Sequence, residues 1–199
     1  MNTDAGLILK LFTAPASEPI TTNEAKAHLR IDASDEDNLI TGYITAARQL
    51  CELYARRALV TQTWDLSLEQ WPGCDQIELP RPPLQSVTSI SYIDSNGATS
   101  TLASSSYIVD TASEPGRVIL AYGATWPTVT LRPGPAITVR YVAGYGAAAA
   151  VPELYKQALK LIVGHFFENR EQVVLQPGLT VAQLPMAAQA LLMVDRGSW

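Results

Sequence analysis

Reactive side chains are scarce in this sequence. Two histidines, His28 and His165, and two cysteines, Cys51 and Cys74, are all that 199 residues contain of the commonest metal ligands and nucleophiles. Neither cysteine has a second Cys or a His at zinc spacing, so two reduced thiols are expected and no metal signature is present. Basic clusters are missing too: the net charge is −5, and no lysine occurs from Thr61 to Gly146. Independent binding of nucleic acid wants a concentrated positive footprint, which disfavours that function. No apolar run approaches the roughly 20 residues that cross a bilayer. The start, Met1 to Thr13, carries only Lys10 as a basic residue, so neither a membrane span nor a secretory signal is expected.

Catalytic motifs are absent as well. Ser104, Ser105 and Ser106 lack the Gly-x-Ser-x-Gly elbow and an evident base. Gly144-Tyr145-Gly146 has no Lys-Ser/Thr ending and so does not read as a phosphate loop; it lets strand turn into helix. His165 and Glu168 share a helix face, but a metal site of that kind needs further carboxylates from other helices. No enzyme activity, metal or cofactor is expected. Trp64, Trp71 and Trp126 suggest a sugar platform, and a carbohydrate- or surface-binding β module of a phage-related particle is the alternative reading. Each of these indoles falls in or beside a predicted strand, where a core aromatic is the plainer assignment.

What the chain does have is apolar patterning. With 47% hydrophobic and 17% charged residues, it can bury roughly 70% of its unfolded surface and keep some apolar surface for assembly. Thr21 and Glu24 have capping-box spacing before a short helix from about Asn23 to Arg30. Ser34, followed by Asp35, Glu36 and Asp37, reads as the start of a second helix, with carboxylates at the positive end of its dipole. From there Leu39, Ile40, Tyr43, Ile44, Ala47, Leu50, Cys51, Tyr54, Ala55 and Ala58 recur at steps of three and four, one apolar helix face. Asn38, Arg48, Gln49, Glu52 and Arg56 are assigned to the other face.

At Val60 the period changes to two, and short strands follow at Gln76 to Leu79, Val87 to Ile93, Ala98 to Leu102, Tyr107 to Asp110, Arg117 to Leu120 and Ile137 to Val142. Asp94-Ser95-Asn96-Gly97 is the clearest hairpin turn. Helix returns after Gly146, with Pro152 suited to a first turn and Leu154, Tyr155, Ala158, Leu159, Ile162, Val163, Phe166 and Phe167 at helical spacing. Beyond Gln176-Pro177-Gly178, Leu184, Ala188, Leu191, Leu192 and Met193 form a last short helix. The expected fold is α+β: a bundle of N- and C-terminal helices with an inserted antiparallel β module, a small sandwich or a partly open barrel. The expected divisions are residues 1–59, 60–146, 147–175 and 176–199.

One ordered set of segments goes further than periodicity. It comprises Thr22-Asn23-Glu24-Ala25-Lys26-Ala27-His28-Leu29-Arg30-Ile31-Asp32, Asp35-Glu36-Asp37-Asn38-Leu39-Ile40, Tyr43 to Arg48, Arg57-Ala58-Leu59, Gln62-Thr63-Trp64, Leu79 to Val87, Ala143 to Gly146, Val151-Pro152 and Glu168 to Glu171. In this order they resemble the head-tail connector (adaptor) family of tailed bacteriophages, in its longer type with a β insertion, over about Glu18 to Glu171. The resemblance implies a structural virion protein, made in the host cytoplasm and built into the neck as a ring of twelve subunits beneath the portal protein. The ring would extend the DNA channel, help retain the genome, let double-stranded DNA pass without sequence-specific contacts, and receive a downstream neck or tail-completion protein. It further implies that residues from about Gln176 onward dock on the portal, with Leu184, Leu191, Leu192 and Trp199 as anchors; the alternative is a helix packed on its own subunit. Arg48, Arg56, Arg57, Glu168, Arg170 and Glu171 are candidates for ion pairs between subunits.

Overall fold

The structure, a computed structural model, describes residues 7–169 and 185–194. It is α+β, with strands β1 (Ile8–Thr13), β2 (Gln62–Leu68), β3 (Gln76–Leu79), β4 (Leu84–Ile93), β5 (Thr99–Thr101), β6 (Tyr107–Asp110), β7 (Gly116–Leu120) and β8 (Ile137–Ala143). The helices are α1 (Thr22–Leu29), α2 (Asp37–Ala55), α3 (Glu153–Glu168) and α4 (Met186–Val194); short 3-10 turns lie between β5 and β6 at Ser104–Ser106 and between β8 and α3 at Ala148–Ala150. Two compact units result. Met1–Ala16 belongs with Thr61–Tyr145, and Ser17–Val60 with Gly146–Trp199.

In the helical unit, α3 packs on both α2 and α4, and α1 rests on α2 and α3. Ile40, Ile44, Ala47, Cys51 and Ala55 of α2 are buried, as the three-four spacing predicts, and meet a core that includes Tyr155, Leu159, Ile162 and Val163. Each fully buried Ile or Leu contributes about 1.5–3 kcal/mol relative to exposure. The Thr21/Glu24 box forms completely: the Glu24 N–H donates to Thr21 Oγ1 (3.1 Å), and the Thr21 N–H donates to Glu24 Oε2 (2.6 Å). The expectation at Ser34 is corrected. Helix α2 begins later, at Asp37 after Glu36, without a side-chain cap, and Asp37 instead pairs with Lys26 of α1 at 2.8 Å.

The hydrogen bond from the Thr21 N–H, followed by that from its hydroxyl, holds the Glu24 carboxyl below its ordinary value of 4.5. A carboxyl lowered in the folded state stabilises fully above its unfolded value, and the contribution fades as pH falls through the folded one. Glu24→Ala is therefore expected to cost about 1 kcal/mol at neutral pH. In acid, where Glu24 is protonated, the difference from the parent should shrink towards zero; urea titrations at both pH values read it directly.

The other unit is two antiparallel sheets, one ordered β1-β2-β8-β4-β5 and the other β3-β7-β6. Alternation is clearest in β8, where Ile137, Val139, Tyr141 and Ala143 are buried and the residues between them are not. The turn at Asp94–Gly97 closes as expected: Asp94 Oδ1 accepts the N–H groups of Asn96 and Ala98, and Gly97 takes φ +85°. The two sheets approach closely at Gly116, where a Cβ would stand 2.4 Å from Leu84 Cβ. The barrel alternative is corrected: the sheets stay separate with open edges, because each has strands whose outer side finds no neighbour among the described residues. Strand β1 has no counterpart in the sequence reading. It pairs with β2 from Ile8↔Ser67 to Thr13↔Thr63 and stands at one edge of the five-stranded sheet.

Candidate assembly surfaces

The charged residues singled out in α2 divide between interior and surface. Arg48 and Glu52, assigned to the solvent face by spacing, are each only 6% exposed. Glu18 explains this correction. Its carboxylate accepts from Arg48 Nε at 2.7 Å, while Arg48 Nη1 donates to Glu52 Oε2 at 2.9 Å. Glu52 Oε1 in turn accepts the Leu59 N–H (2.9 Å), and Thr45 Oγ1 donates to Glu18 Oε1 (2.9 Å). A buried guanidinium is thereby satisfied from two sides, which ties the chain before α1 and the chain after α2 to that helix. Burial opposes the Arg48 charge, but the Glu18 hydrogen bond and the two carboxylates outweigh it and raise its pKa further. Arg57 is buried as well, whereas Arg56 and Glu168 are exposed. Arg170 and Glu171 lie outside the described residues.

Helix α4 is apolar nearly all round, with Gln189 as its one polar residue. Its inner side, Ala188 and Leu192, is fully buried in the helical unit, and Leu191 is half-buried. Met186 (82% exposed), Ala187, Ala190 and Met193 (57%) form the opposite, exposed side. A helix apolar on both sides is normally covered on both. Leu184 and Trp199 lie outside the described residues.

In the β unit the exposed apolar side chains concentrate at β1. Leu7, Ile8, Leu11 and Phe12 are 40–53% exposed, and Phe12 lies against the Arg140 guanidinium (3.4 Å), which is itself held by Asp65 through two hydrogen bonds of 2.7 and 2.8 Å. The run Leu7–Phe12 is a strand-length apolar stretch broken only by Lys10, and that was the signal available in the sequence. Trp71 stacks on Trp126 (4.9 Å) and meets Tyr92 edge-on, and Trp126 Nε1 donates to the Cys74 carbonyl. These indoles spend their faces on one another beside an open groove of about 1060 Å³ lined in part by Leu7, Leu68, Ile77 and Arg132.

The model of the family described as "Head completion protein" matches residues 18–181, most of the chain. The chain belongs to the head completion protein family. The matched range begins at Glu18, the residue that anchors Arg48. Among solved structures, this head completion protein is similar to a chain of the virion of a native gene transfer agent particle, with 26% identity over 95% of both chains and a TM-score of 0.76. It is also similar to chains from the neck of the empty particle computed with C6 symmetry (25% identity, 95% of both chains, TM-score 0.74) and from the neck of the native particle computed with C12 symmetry (25%, 95% and 94%, 0.73). No curated protein matches at the level of sequence.

The head completion protein is structural, not an enzyme. Its reactive groups fit that role. Cys51 is buried, which, with the nearby Glu52 charge, pushes its thiol up to about 12. His165 Nδ1 lies 3.2 Å from the Asn169 side-chain amide, and no group of three or more potential metal ligands occurs among the described residues. None of the described helices is long and apolar enough to cross a membrane.

Proposed function

We propose that this head completion protein is a subunit of a ring in the neck of a tailed-phage-like particle, seated beneath the portal and joining head to tail. The supporting observation is architectural: the fold is similar to that of chains from the neck of a gene transfer agent particle, over nearly the full length of both chains. Those necks were computed with six- and twelve-fold symmetry, which supports the reading of a ring of twelve copies here. A closed ring needs two different, complementary patches on each subunit. The acidic balance of the chain suits a channel that double-stranded DNA passes through, because an acidic wall makes no phosphate contacts and releases no counterions. A downstream neck or tail-completion protein occupies the far side. Arg56, Glu168, Arg170 and Glu171 remain the charged candidates for contacts between subunits.

The C-terminal segment, residues 176–199, docks on the portal. Met186 and Met193 supply its outward apolar side in α4, and Leu184 and Trp199 are its further anchors. Leu191 and Leu192 hold α4 to its own subunit. Light scattering of the purified chain, alone and mixed with the cognate portal ring, tests the reading: a free monomer should join the portal stoichiometrically, and no association would sink it. Met186→Asp with Met193→Asp should leave the monomer's thermal unfolding unchanged and abolish portal capture. Leu192→Ala should instead destabilise the helical unit by about 2–5 kcal/mol, the range for truncating a buried leucine.

A further inference from the structure

Strand β1 is built like an interior strand but stands at an edge. Its run Leu7-Ile8-Leu9-Lys10-Leu11-Phe12 is apolar on both sides of the pleat apart from Lys10, a pattern natural sheets keep for strands covered on both faces, as central strands are. Exposed edges are normally blunted by charges, bulges or short length. Here the strand is six residues long, its one register irregularity falls at its end between Leu11 and Thr13, Ile8, Leu11 and Phe12 are 51%, 40% and 53% exposed, and the single charge, Lys10, has no ion-pair partner among the described residues. At the other end of the same sheet stands β5, whose three residues are all exposed. The chain passes directly from β5 through the Ser104–Ser106 turn into β6, an edge of the second sheet, where Ile108 is 58% exposed.

We propose that a second copy of this chain covers β1, and that the β units join edge to edge around the ring with β1 of one subunit against β5 of the next. The inference rests on the ring reading above. Strand direction favours this occupant. Every neighbouring pair in the five-stranded sheet is antiparallel, so its two edge strands, β1 and β5, run the same way. Rotation about a ring axis by the small step of a twelve-fold assembly nearly preserves strand direction, so β5 of one copy meets β1 of the next in parallel, a heterologous contact that closes on itself. Two β1 strands facing each other across a two-fold axis would run antiparallel and stop at a dimer. The three-stranded sheet obeys the same rule, since β3 and β6 are both antiparallel to β7. Ile108 of the neighbouring copy then supplies apolar surface beside the exposed Ile8 and Leu11 of β1.

The test uses the full-length chain in assembled neck particles, with the exposed Cys74 replaced (Cys74→Ser) and the buried Cys51 left in place. Ile8→Cys and Ser100→Cys together, treated with a short bis-maleimide, should give a ladder of bands at successive multiples of 21.5 kDa, while either substitution alone gives none. A dimer from Ile8→Cys alone would overturn the proposal in favour of a two-fold contact. Particles that contain the doubly substituted chain but yield no ladder would also overturn it while leaving the ring reading intact; a parent chain that never enters particles defeats both. As a second variant, Ile8→Lys with Leu11→Lys should unfold like the parent as a monomer yet enter particles about tenfold less well or worse, the loss of a hot-spot contact. Unchanged incorporation would again overturn the proposal.

Discussion

Arg48→Met is expected to destabilise the helical unit by about 3–5 kcal/mol, the loss typical of removing one partner from a buried ion pair. Methionine preserves most of the length and apolar stem of arginine, so the change isolates the charge. Without the guanidinium, the Glu52 carboxylate, whose side chain is 9% exposed, loses the cation that stands 2.9 Å from it in the interior. Glu18, 24% exposed, can be rehydrated, so Glu18→Gln should cost about 1 kcal/mol, the net value of an ordinary hydrogen bond. Combining Arg48→Met with Glu52→Gln should recover much of the loss, because a neutral amide can still accept the Leu59 N–H without burying a charge. Urea unfolding followed by helical circular dichroism measures the cycle. A loss no larger than that of Glu18→Gln would show that Glu52 does not depend on the Arg48 charge and would sink the account of this triad.

Gly116→Val should be the most damaging small change in the β unit. Even a methyl group at this position would lie 2.4 Å from Leu84 Cβ and 2.7 Å from its Cδ2, contacts that real side chains do not tolerate. Leu84 is itself buried at the start of β4, so relief requires the backbone of one sheet to move from the other. Overpacking of this kind costs about 1–3 kcal/mol for added methyl groups, and valine adds more than one. Gly116→Ala should lie at the low end of that range and Gly116→Val at or above the high end. Leu84→Gly, which removes all three clashing side-chain atoms including Cβ, should then be less harmful in the Gly116→Ala background than in the parent, a coupling that thermal unfolding of the four variants reads out. Additive losses would mean that Gly116 is needed for some reason other than the approach of the sheets.

Much of this fold was legible from local pattern. The three-four spacing from Leu39 to Ala58 and from Leu154 to Phe167, the change of period at Val60, the capping box at Thr21 and the turn at Asp94–Gly97 all report geometry that a few consecutive residues decide for themselves. The ordered segments from Glu18 to Glu171 fall within residues 18–181, the range that the head completion family model matches. Where the reading stopped or went astray, the deciding partner was remote. Spacing put Arg48 and Glu52 in solvent because it could not know that Glu18, thirty positions earlier, would meet them. The helix through Leu192 was legible as apolar, but which of its two apolar sides would be taken by α3 was not. Strand β1 went unread because its partner, β2, begins only at Gln62, and an apolar run of six residues has no period that separates edge strand from buried strand. Local sequence thus determined the elements and their order. Tertiary structure alone decided which charges go inside, which apolar faces stay outside and where the sheets end, because each depends on desolvation by residues that are neighbours only after folding.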